Sequence, residues 1–214
     1  MADIAGKLIR KQQNAQLNKC GTNASYSQSS HPAIALGERW CAGSGGEGSM
    51  PKKKSAIDHL NSGRVPHIVH MIPRGAPGYA EAKGGAMVVS SPAEVDALIR
   101  KLESGEVITL DDLRAALARR HQVAVACPVS TAIFANMSAR AAEERRALGV
   151  PVQELTPWWR VLRKGGFLNP KLPGGVERQA ALLLAEGIRA SPLGKHLAVY
   201  EYEARRPDRL IEND

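Results

Sequence analysis

The sequence predicts an α+β fold in which helices dominate. Two segments begin with residues that cap helices, each is followed by apolar residues at helical spacing, and short β-rich runs lie around them. The chain has 214 residues, which is enough for one good-sized hydrophobic core or two small ones. We expect one principal domain over residues 86–203. A segment over 50–85, whose structure the sequence leaves poorly determined, precedes it, and a C-terminal tail over 204–214 follows it.

Residues 1–49 differ from the rest of the chain in composition. They are rich in Gln, Asn, Ser and Gly, and they end in a glycine-rich run over 43–49. Such a composition buries too little apolar surface to offset the entropy cost of ordering. We interpret the segment as a disordered leader or a start-site extension, with the functional chain beginning near Met50. The lysine run over 52–54 indicates a solvated tail, with phosphate contact as the alternative.

The charge balance favours an anionic partner. The chain carries 29 Lys and Arg residues against 21 Asp and Glu residues, a formal net charge of +8 at pH 7. Charge alone does not separate nucleic acid from a membrane surface. No apolar run approaches the length of a membrane span, and no signal-peptide pattern follows the first residue. We therefore expect a cytoplasmic protein that does not bind membranes.

Cysteine and histidine give little sign of a metal site. Cys20, Cys41 and Cys127 form an odd set without a C-x-x-C pair, which argues against a disulfide framework and a thiolate zinc site. His67 and His70 would share a face only on a helix, whereas the sequence around them is β-rich. We predict no metal and no cofactor.

The stretch before residue 90 indicates short strands. Residues 65–72 are β-rich but contain Pro66, which cannot donate a ladder hydrogen bond, so they predict at best an edge strand. Residues 86–89 form an apolar run that suits a buried strand.

The first long helix is expected to begin after Ser91. Ser91 suits the N-cap, Pro92 the first helical position and Glu94 the third position of a capping box. The apolar stripe that follows at the spacing i, i+3, i+4, i+7 comprises Val95, Leu98, Ile99 and Leu102. A Ser-Gly pair at 104–105 is expected to end this helix.

A second helix is expected to begin after Thr109, with Asp112 completing its capping box. Its apolar stripe comprises Leu110, Leu113 and Leu117. Two short capped helices joined by a glycine-containing turn are what a helix-turn-helix motif needs before its reading helix.

A third helix is expected from 129 or 130 to 148. Its predicted inner side comprises Ile133, Phe134, Met137 and Ala141, and its outer side Arg140, Glu143, Glu144, Arg145 and Arg146. Cys127 lies just ahead of this helix, where it is a conceivable nucleophile. Its apolar neighbours are more typical of a small buried side chain.

Residues 156–161 read Thr-Pro-Trp-Trp-Arg-Val and form the most unusual stretch. The two tryptophans are adjacent in a chain that has only three, and they suit either a stacking platform or a packed wall. Pro157 favours an extended or turn approach, and the planar guanidinium of Arg160 suits phosphate, carboxylate or a base edge. A binding site and a core anchor both remain open, and the residue order favours the site.

The following segment, 162–175, is basic and rich in turns. Its cations either meet phosphates as a wing does or belong to a structural connector. Residues 176–186 predict a helix closed by Gly187, and residues 197–202 predict a final short strand.

Residues 157–161 resemble the Pro-Cys-His-Arg-Val motif of the O6-alkylguanine-DNA alkyltransferases, with Trp158 at the position of the alkyl-accepting cysteine. Tryptophan there resembles the alkyltransferase-like proteins, which bind alkylated guanine without repairing it and carry Pro-Trp-x-Arg. Residues 91–117 resemble the two helices before the family's recognition helix, and residues 184–187 resemble its closing Leu-x-Glu-Gly. The resemblance covers about residues 88–202 and implies a winged-helix-like domain linked to DNA repair.

The resemblance implies a protein that is not an enzyme. Trp158 and Trp159 replace the family's nucleophilic cysteine and its histidine base, and an indole carbon does not accept an alkyl group under these conditions. The implied lesion pocket comprises Pro157, Trp158, Trp159, Arg160 and Glu186. The implied DNA contacts are Ser130, Thr131, Arg163, Lys164 and Lys171. We expect a monomer whose partners are double-stranded DNA with O6-alkylguanine and a repair protein.

Two departures from the family pattern favour an alternative function. The family has a tyrosine where Leu110 stands, and it has an arginine near the start of the recognition helix, whereas none lies between Gln122 and Met137. Both family residues help to extrude the target nucleotide. The alternative is a winged-helix module for nucleic acid or protein that has lost lesion recognition. An enzyme acting through Cys127 is the least favoured class.

Overall fold

The computed structural model describes residues 54–211. Our predictions for residues 1–49, and for the lysines at 52 and 53, lie outside this range. The α-helices in it are α1 (Ala56–Leu60), α2 (Tyr79–Ala82), α3 (Pro92–Arg100), α4 (Leu110–Arg120), α5 (Pro128–Ala147), α6 (Gly175–Ala185) and α7 (Asp208–Ile211). The strands are β1 (His67–Val69), β2 (Met87–Val89), β3 (Ile108–Thr109), β4 (Val125–Ala126), β5 (Val161–Leu162), β6 (Ala190–Leu193) and β7 (His196–Val199). The predicted α+β class is confirmed.

Three small sheets hold the helices in place. In the first, β2 pairs antiparallel with β1 and parallel with β4, so β1 lies at the edge as the proline predicted. The central strand β2 is buried, and Val88 has no exposed surface. In the second, β3 pairs parallel with β5 through Ile108 opposite Val161. This pairing ties the start of α4 to the end of the tryptophan segment, by which we mean residues 156–161.

The caps of α3 and α4 form as predicted, with one difference. The hydroxyl of Thr109 accepts from the Asp112 amide at 3.1 Å, and the Asp112 carboxylate accepts from the Thr109 amide at 3.0 Å. Ser91 likewise accepts from the Glu94 amide at 3.2 Å. The Glu94 carboxylate, however, bonds to His121, the C-cap of α4, at 2.8 Å and does not return to the cap of α3. A long-range partner has replaced the local one.

The apolar stripes of α3 and α4 form most of one core cluster. Every residue of the predicted α3 stripe is buried, as are Leu113 and Leu117 of α4. Leu110 is only partly buried and packs at the margin of this cluster. Its side chain faces an open cavity, described below.

Helix α5 begins at Pro128 and ends at Ala147, close to the predicted range. Phe134 and Ala141 are buried as expected, but Ile133 is 52% exposed, which corrects its assignment to the inner side. The correction has a physical cause: apolar residues lie around most of the circumference of α5, so periodicity does not define its buried face.

The antiparallel hairpin of the domain follows α6 and so lies later in the chain than the 162–175 segment. Strands β6 and β7 form an antiparallel hairpin after α6, with Ala190 opposite Val199. The segment over 162–175, for which a wing and a structural connector both remained open, contains a 3-10 turn over Lys164–Gly166. The final strand ends at Val199, and Tyr202 begins another 3-10 helix, so the predicted strand over 197–202 is shorter and shifted.

The C-terminal tail packs on the domain. Leu210 is buried in the same core cluster as the α3 and α4 stripes. Arg206 bonds to the Asp112 carboxylate on α4 at 3.0 Å, and Arg209 bonds to the Glu106 carboxylate. The part of the tail that the structure describes therefore belongs to the domain.

Candidate nucleic-acid interface

The tryptophan segment is an interior anchor. Trp158 has no exposed surface and Trp159 is 4% exposed. The two rings meet edge to face, with centroids 6.0 Å apart and planes at 81°. Ala139 and Ala142 of α5 pack in the same core cluster, where their small side chains allow close approach. The structure corrects the expectation that these rings line an open pocket, because neither offers a face to a ligand.

Arg160 and Glu186 form the charged centre of this anchor. The Glu186 carboxylate accepts from Arg160 Nε at 2.9 Å and Nη2 at 2.6 Å, and from Trp159 Nε1 at 2.8 Å. The remaining guanidinium nitrogen, Nη1, donates to the Leu102 carbonyl at 2.5 Å. The guanidinium is therefore satisfied inside the protein, which argues against its binding of phosphate or a base edge.

Gln179 on α6 completes the anchor and was not singled out from the sequence. Its side chain is fully buried. Its amide nitrogen donates to the carbonyls of Trp159 and Val161, both at 2.9 Å, and its oxygen accepts from the Asn169 amide at 2.8 Å. Nothing in the sequence indicated that this glutamine is buried, because its partners are backbone groups 10 to 20 residues earlier in the chain.

The open site lies elsewhere, in a cavity of about 1200 Å³. Its walls are α5, the loop over 163–171 and the start of α1. The apolar part of its lining, which we call the floor, comprises Leu110, Ala132, Ile133 and Met137. The neighbouring polar groups that line it include Asn136, Arg140, Glu144, Arg163, Asn169 and Lys171. A concave site that combines apolar side chains with polar and charged ones is typical of a binding site.

The electrostatics of the cavity are basic. Arg140, Arg163 and Lys171 are all exposed, and none of them pairs with a carboxylate within residues 54–211. Among the described lining residues Glu144 is the one carboxylate, and it accepts from two backbone amides of α1. The cavity therefore attracts anions.

The loop over 163–171 is held in a fixed shape. The Arg163 amide donates to the Phe167 carbonyl at 2.7 Å, and the side-chain amide of Asn136 donates to the Lys171 carbonyl at 2.6 Å. Gly166 has φ +74°, and a Cβ there would lie 2.7 Å from the Val199 carbonyl oxygen. Only glycine fits this turn without a shift. These bonds and the glycine turn place Arg163 and Lys171 at the cavity.

Three other predicted residues do not line the cavity. The hydroxyls of Ser130 and Thr131 donate to the Cys127 carbonyl at 3.3 and 2.9 Å, and both residues are buried. This corrects the expectation that they reach phosphates, because each hydroxyl is bonded within its own helix end. Lys164 is exposed in the 3-10 turn, outside the cavity lining.

Cys127 is the half-buried N-cap of α5. Its amide donates to the Val88 carbonyl at 2.9 Å, and it packs against the cluster formed by Met87, Val125 and Ile72. These contacts match the reading of a small apolar side chain.

Neither a metal cluster nor a membrane span is found in the part of the chain that the structure describes. Over residues 54–211 no group of three His, Cys, Asp or Glu side chains comes together to hold an ion. No helix in this range is both long and apolar enough to cross a bilayer.

Comparison with known proteins supports the resemblance drawn from the sequence. Residues 91–188 match the family model of the 6-O-methylguanine DNA methyltransferase, DNA binding domain. The match begins at the N-cap of α3 and contains the tryptophan segment and the 163–171 loop. The resemblance drawn from the sequence is confirmed over this part of the chain.

Two solved structures are similar to the chain. S. pombe Atl1 in complex with damaged DNA containing O6-carboxymethylguanine is 15% identical, with a TM-score of 0.38. S. pombe ATL in complex with DNA is 15% identical, with a TM-score of 0.39. Each match covers 54% of this chain and 93% of the other. No curated protein matches the chain at a significant level.

Proposed function

We propose that this protein binds duplex DNA containing an alkylated guanine, that the cavity receives the modified base, and that no alkyl group is transferred. The observation that carries the proposal is an apolar-floored cavity lined by exposed cations within a DNA-binding domain of the methyltransferase type. Its cations suit the phosphates on either side of an extruded nucleotide, and its floor suits the face and alkyl group of the base.

The charged and the apolar side chains of the cavity have different roles in binding. Arg140, Arg163 and Lys171 supply charge, which strengthens binding to any duplex and carries no information about the base. Leu110, Ile133 and Met137 supply apolar contact, which favours a base that carries an added alkyl group. Selectivity for the lesion therefore depends on the floor and affinity on the cations.

The absence of alkyl transfer rests on the residues at the motif. By its resemblance Trp158 stands at the acceptor position, and its ring is enclosed in the core. Cys127 is a separate thiol that does not line the cavity. Neither residue brings a nucleophile to a bound base.

The test compares two duplexes that differ only in one O6-methylguanine. We expect tighter binding to the modified duplex in mobility-shift titrations at fixed salt, and an unchanged protein mass after incubation with O6-benzylguanine. Equal affinity for both duplexes would contradict lesion recognition. A mass increase of one benzyl group would contradict the non-catalytic assignment.

One observation favours the second candidate, a DNA-binding module without lesion recognition. Leu110 places a branched aliphatic chain at the cavity where the family has a tyrosine ring, so the floor has less surface for stacking. This module would bind both duplexes equally and retain the salt dependence that phosphate contacts produce. The same titrations, repeated at several salt concentrations, separate the two candidates.

A further inference from the structure

Helix α1 packs against α5, and the carboxylate of Glu144 bonds to its first turn. Glu144 on α5 accepts from the Ala56 amide at 2.8 Å and from the Ile57 amide at 3.0 Å. These are the first two amides of α1, which no residue of the helix itself can satisfy. Leu60, at the other end of α1, is buried. The short helix is therefore held at both ends against the domain.

The start of α1 is also capped within its own sequence. The Ser55 hydroxyl accepts from the Asp58 amide, and the Asp58 carboxylate accepts from the Ser55 amide, both at 3.0 Å. The bond from the Ser55 backbone, with the Ser55 side chain second, lowers the pKa of Asp58 from its ordinary value. The charged cap is thus present above the ordinary pKa of an aspartate and is lost as the pH falls through the lowered one.

This arrangement places α1 on the cavity. Lys54, Ser55, Ala56 and His59 line it, as does the loop that carries Lys171. Lys54 and His59 are exposed. All four residues lie outside residues 91–188, so this wall comes from a part of the chain that the family model does not match.

We infer that α1 is an added wall of the DNA-binding cavity, that Lys54 contacts a phosphate of the bound duplex, and that Glu144 acts as the positioning residue that holds this wall in place. The inference rests on the proposed function, because it assigns α1 to the same cavity. Charge complementarity identifies the occupant as the phosphates of DNA, because Lys54 lines the same cavity as the unpaired cations Arg140 and Lys171. The carboxylate of Glu144 is directed to the α1 amides.

The direction in which one substitution changes DNA affinity tests this role. Glu144→Ala removes a negative charge from a basic cavity, so a purely electrostatic effect would tighten DNA binding. If Glu144 positions α1, the variant releases the wall and its Lys54 contact, and binding weakens. We expect about 5- to 10-fold weaker binding to the unmodified duplex near 0.1 M salt, and a salt slope smaller by about one.

Two further variants and one direct readout complete the experiment. Lys54→Gln should reproduce the smaller salt slope with α1 still docked. Glu143→Ala removes the neighbouring carboxylate, which pairs with Arg146 at 2.7 Å and not with α1, and should not weaken binding. Hydrogen exchange of the Ala56 and Ile57 amides should accelerate in Glu144→Ala and remain slow in Glu143→Ala, which shows whether the wall has been released.

The outcomes separate this inference from the proposed function. Unchanged or tighter binding by Glu144→Ala, with accelerated exchange at Ala56 and Ile57, would overturn the role of α1 and leave lesion recognition intact. Slow exchange in Glu144→Ala would overturn the positioning role. Equal affinity of the unmutated protein for modified and unmodified duplexes would contradict lesion recognition, whereas the salt slopes would still report on α1.

Discussion

The tryptophan segment and the cavity lie side by side in one domain, yet their charged groups face opposite ways. Arg160 directs its guanidinium inward to Glu186 and the Leu102 carbonyl. Arg163, three residues later, is exposed and lines the cavity without a carboxylate partner among the described residues. β5 separates the two arginines, and the change from buried to exposed occurs across its end.

Under the proposed function, this difference means that the rarest residues of the motif do not contact the ligand. A buried, fully bonded charge pair fixes one arrangement of the chain and is costly to break, whereas an exposed, unpaired cation is free to bind a phosphate. In this domain the conspicuous Trp-Trp-Arg sequence is buried in the core, and less conspicuous residues of α5 and the 163–171 loop line the exposed cavity to which we assign DNA binding.

The largest expected effect comes from Trp158→Ala. The ring is fully buried, so its removal leaves a cavity and should lower the free energy of unfolding by about 3–5 kcal/mol, measured by urea denaturation. Affinity measured well below the melting temperature should fall equally for modified and unmodified duplexes. Trp158→Phe is the matched control, because it keeps an aromatic core and removes an indole N–H that has no partner within the described residues. A selective loss of lesion binding would place Trp158 in the site after all.

Glu186→Gln should have the next largest effect. It leaves the Arg160 guanidinium without its counter-charge in a buried position, which costs about 3 kcal/mol of stability when one partner of such a pair is lost. Glu177→Gln, at an exposed position on α6, the helix that Glu186 caps, removes the same charge and should change the free energy of unfolding by less than about 0.5 kcal/mol. A similar loss of unfolding free energy in both variants would show that the Arg160–Glu186 pair does not anchor the tryptophan segment.

The double variant Arg163→Gln, Lys171→Gln tests the other side of the comparison. Two lost phosphate contacts should weaken binding to either duplex roughly 10- to 100-fold near 0.1 M salt and lower the salt slope by about two. Thermal stability should be unchanged, because both side chains are exposed and unpaired in the described structure. Lys101→Gln, an exposed cation outside the cavity lining, is the control for charge alone. If the salt slope of DNA binding is the same in the double variant as in the unmutated protein, the cavity is not the DNA-binding surface.

Local sequence signals predicted the helices well and the site poorly. The Thr109 cap and the α3 stripe lie within a few residues of each other, so chain-local chemistry determines them. The position of Trp158 depends instead on α5 and α6, and nothing local distinguishes a buried indole from a stacking one. The sequence placed Glu144 on the outer side of its helix, whereas the structure has it half-buried, with its carboxylate bonded to the amides of α1. Its partner, α1, is almost ninety residues earlier in the chain, and such a contact has no signature in the sequence.

The smallest expected effect is also the one that tests how the two regions are connected. Asn136 on α5 donates to the Lys171 carbonyl at 2.6 Å, while the buried Gln179 accepts from the Asn169 amide at the other end of the same turn. The bond of Asn136 is exposed, so water can replace it, and Asn136→Ala should cost only about 0.5–1.5 kcal/mol of stability. If the loop must be held for Lys171 to meet a phosphate, the variant should weaken binding by a few fold, and Lys171→Gln in the same background should add less than it does alone. Additive effects would mean that Lys171 acts as a freely moving charge. The rigid core and the binding surface would then be neighbours without being coupled.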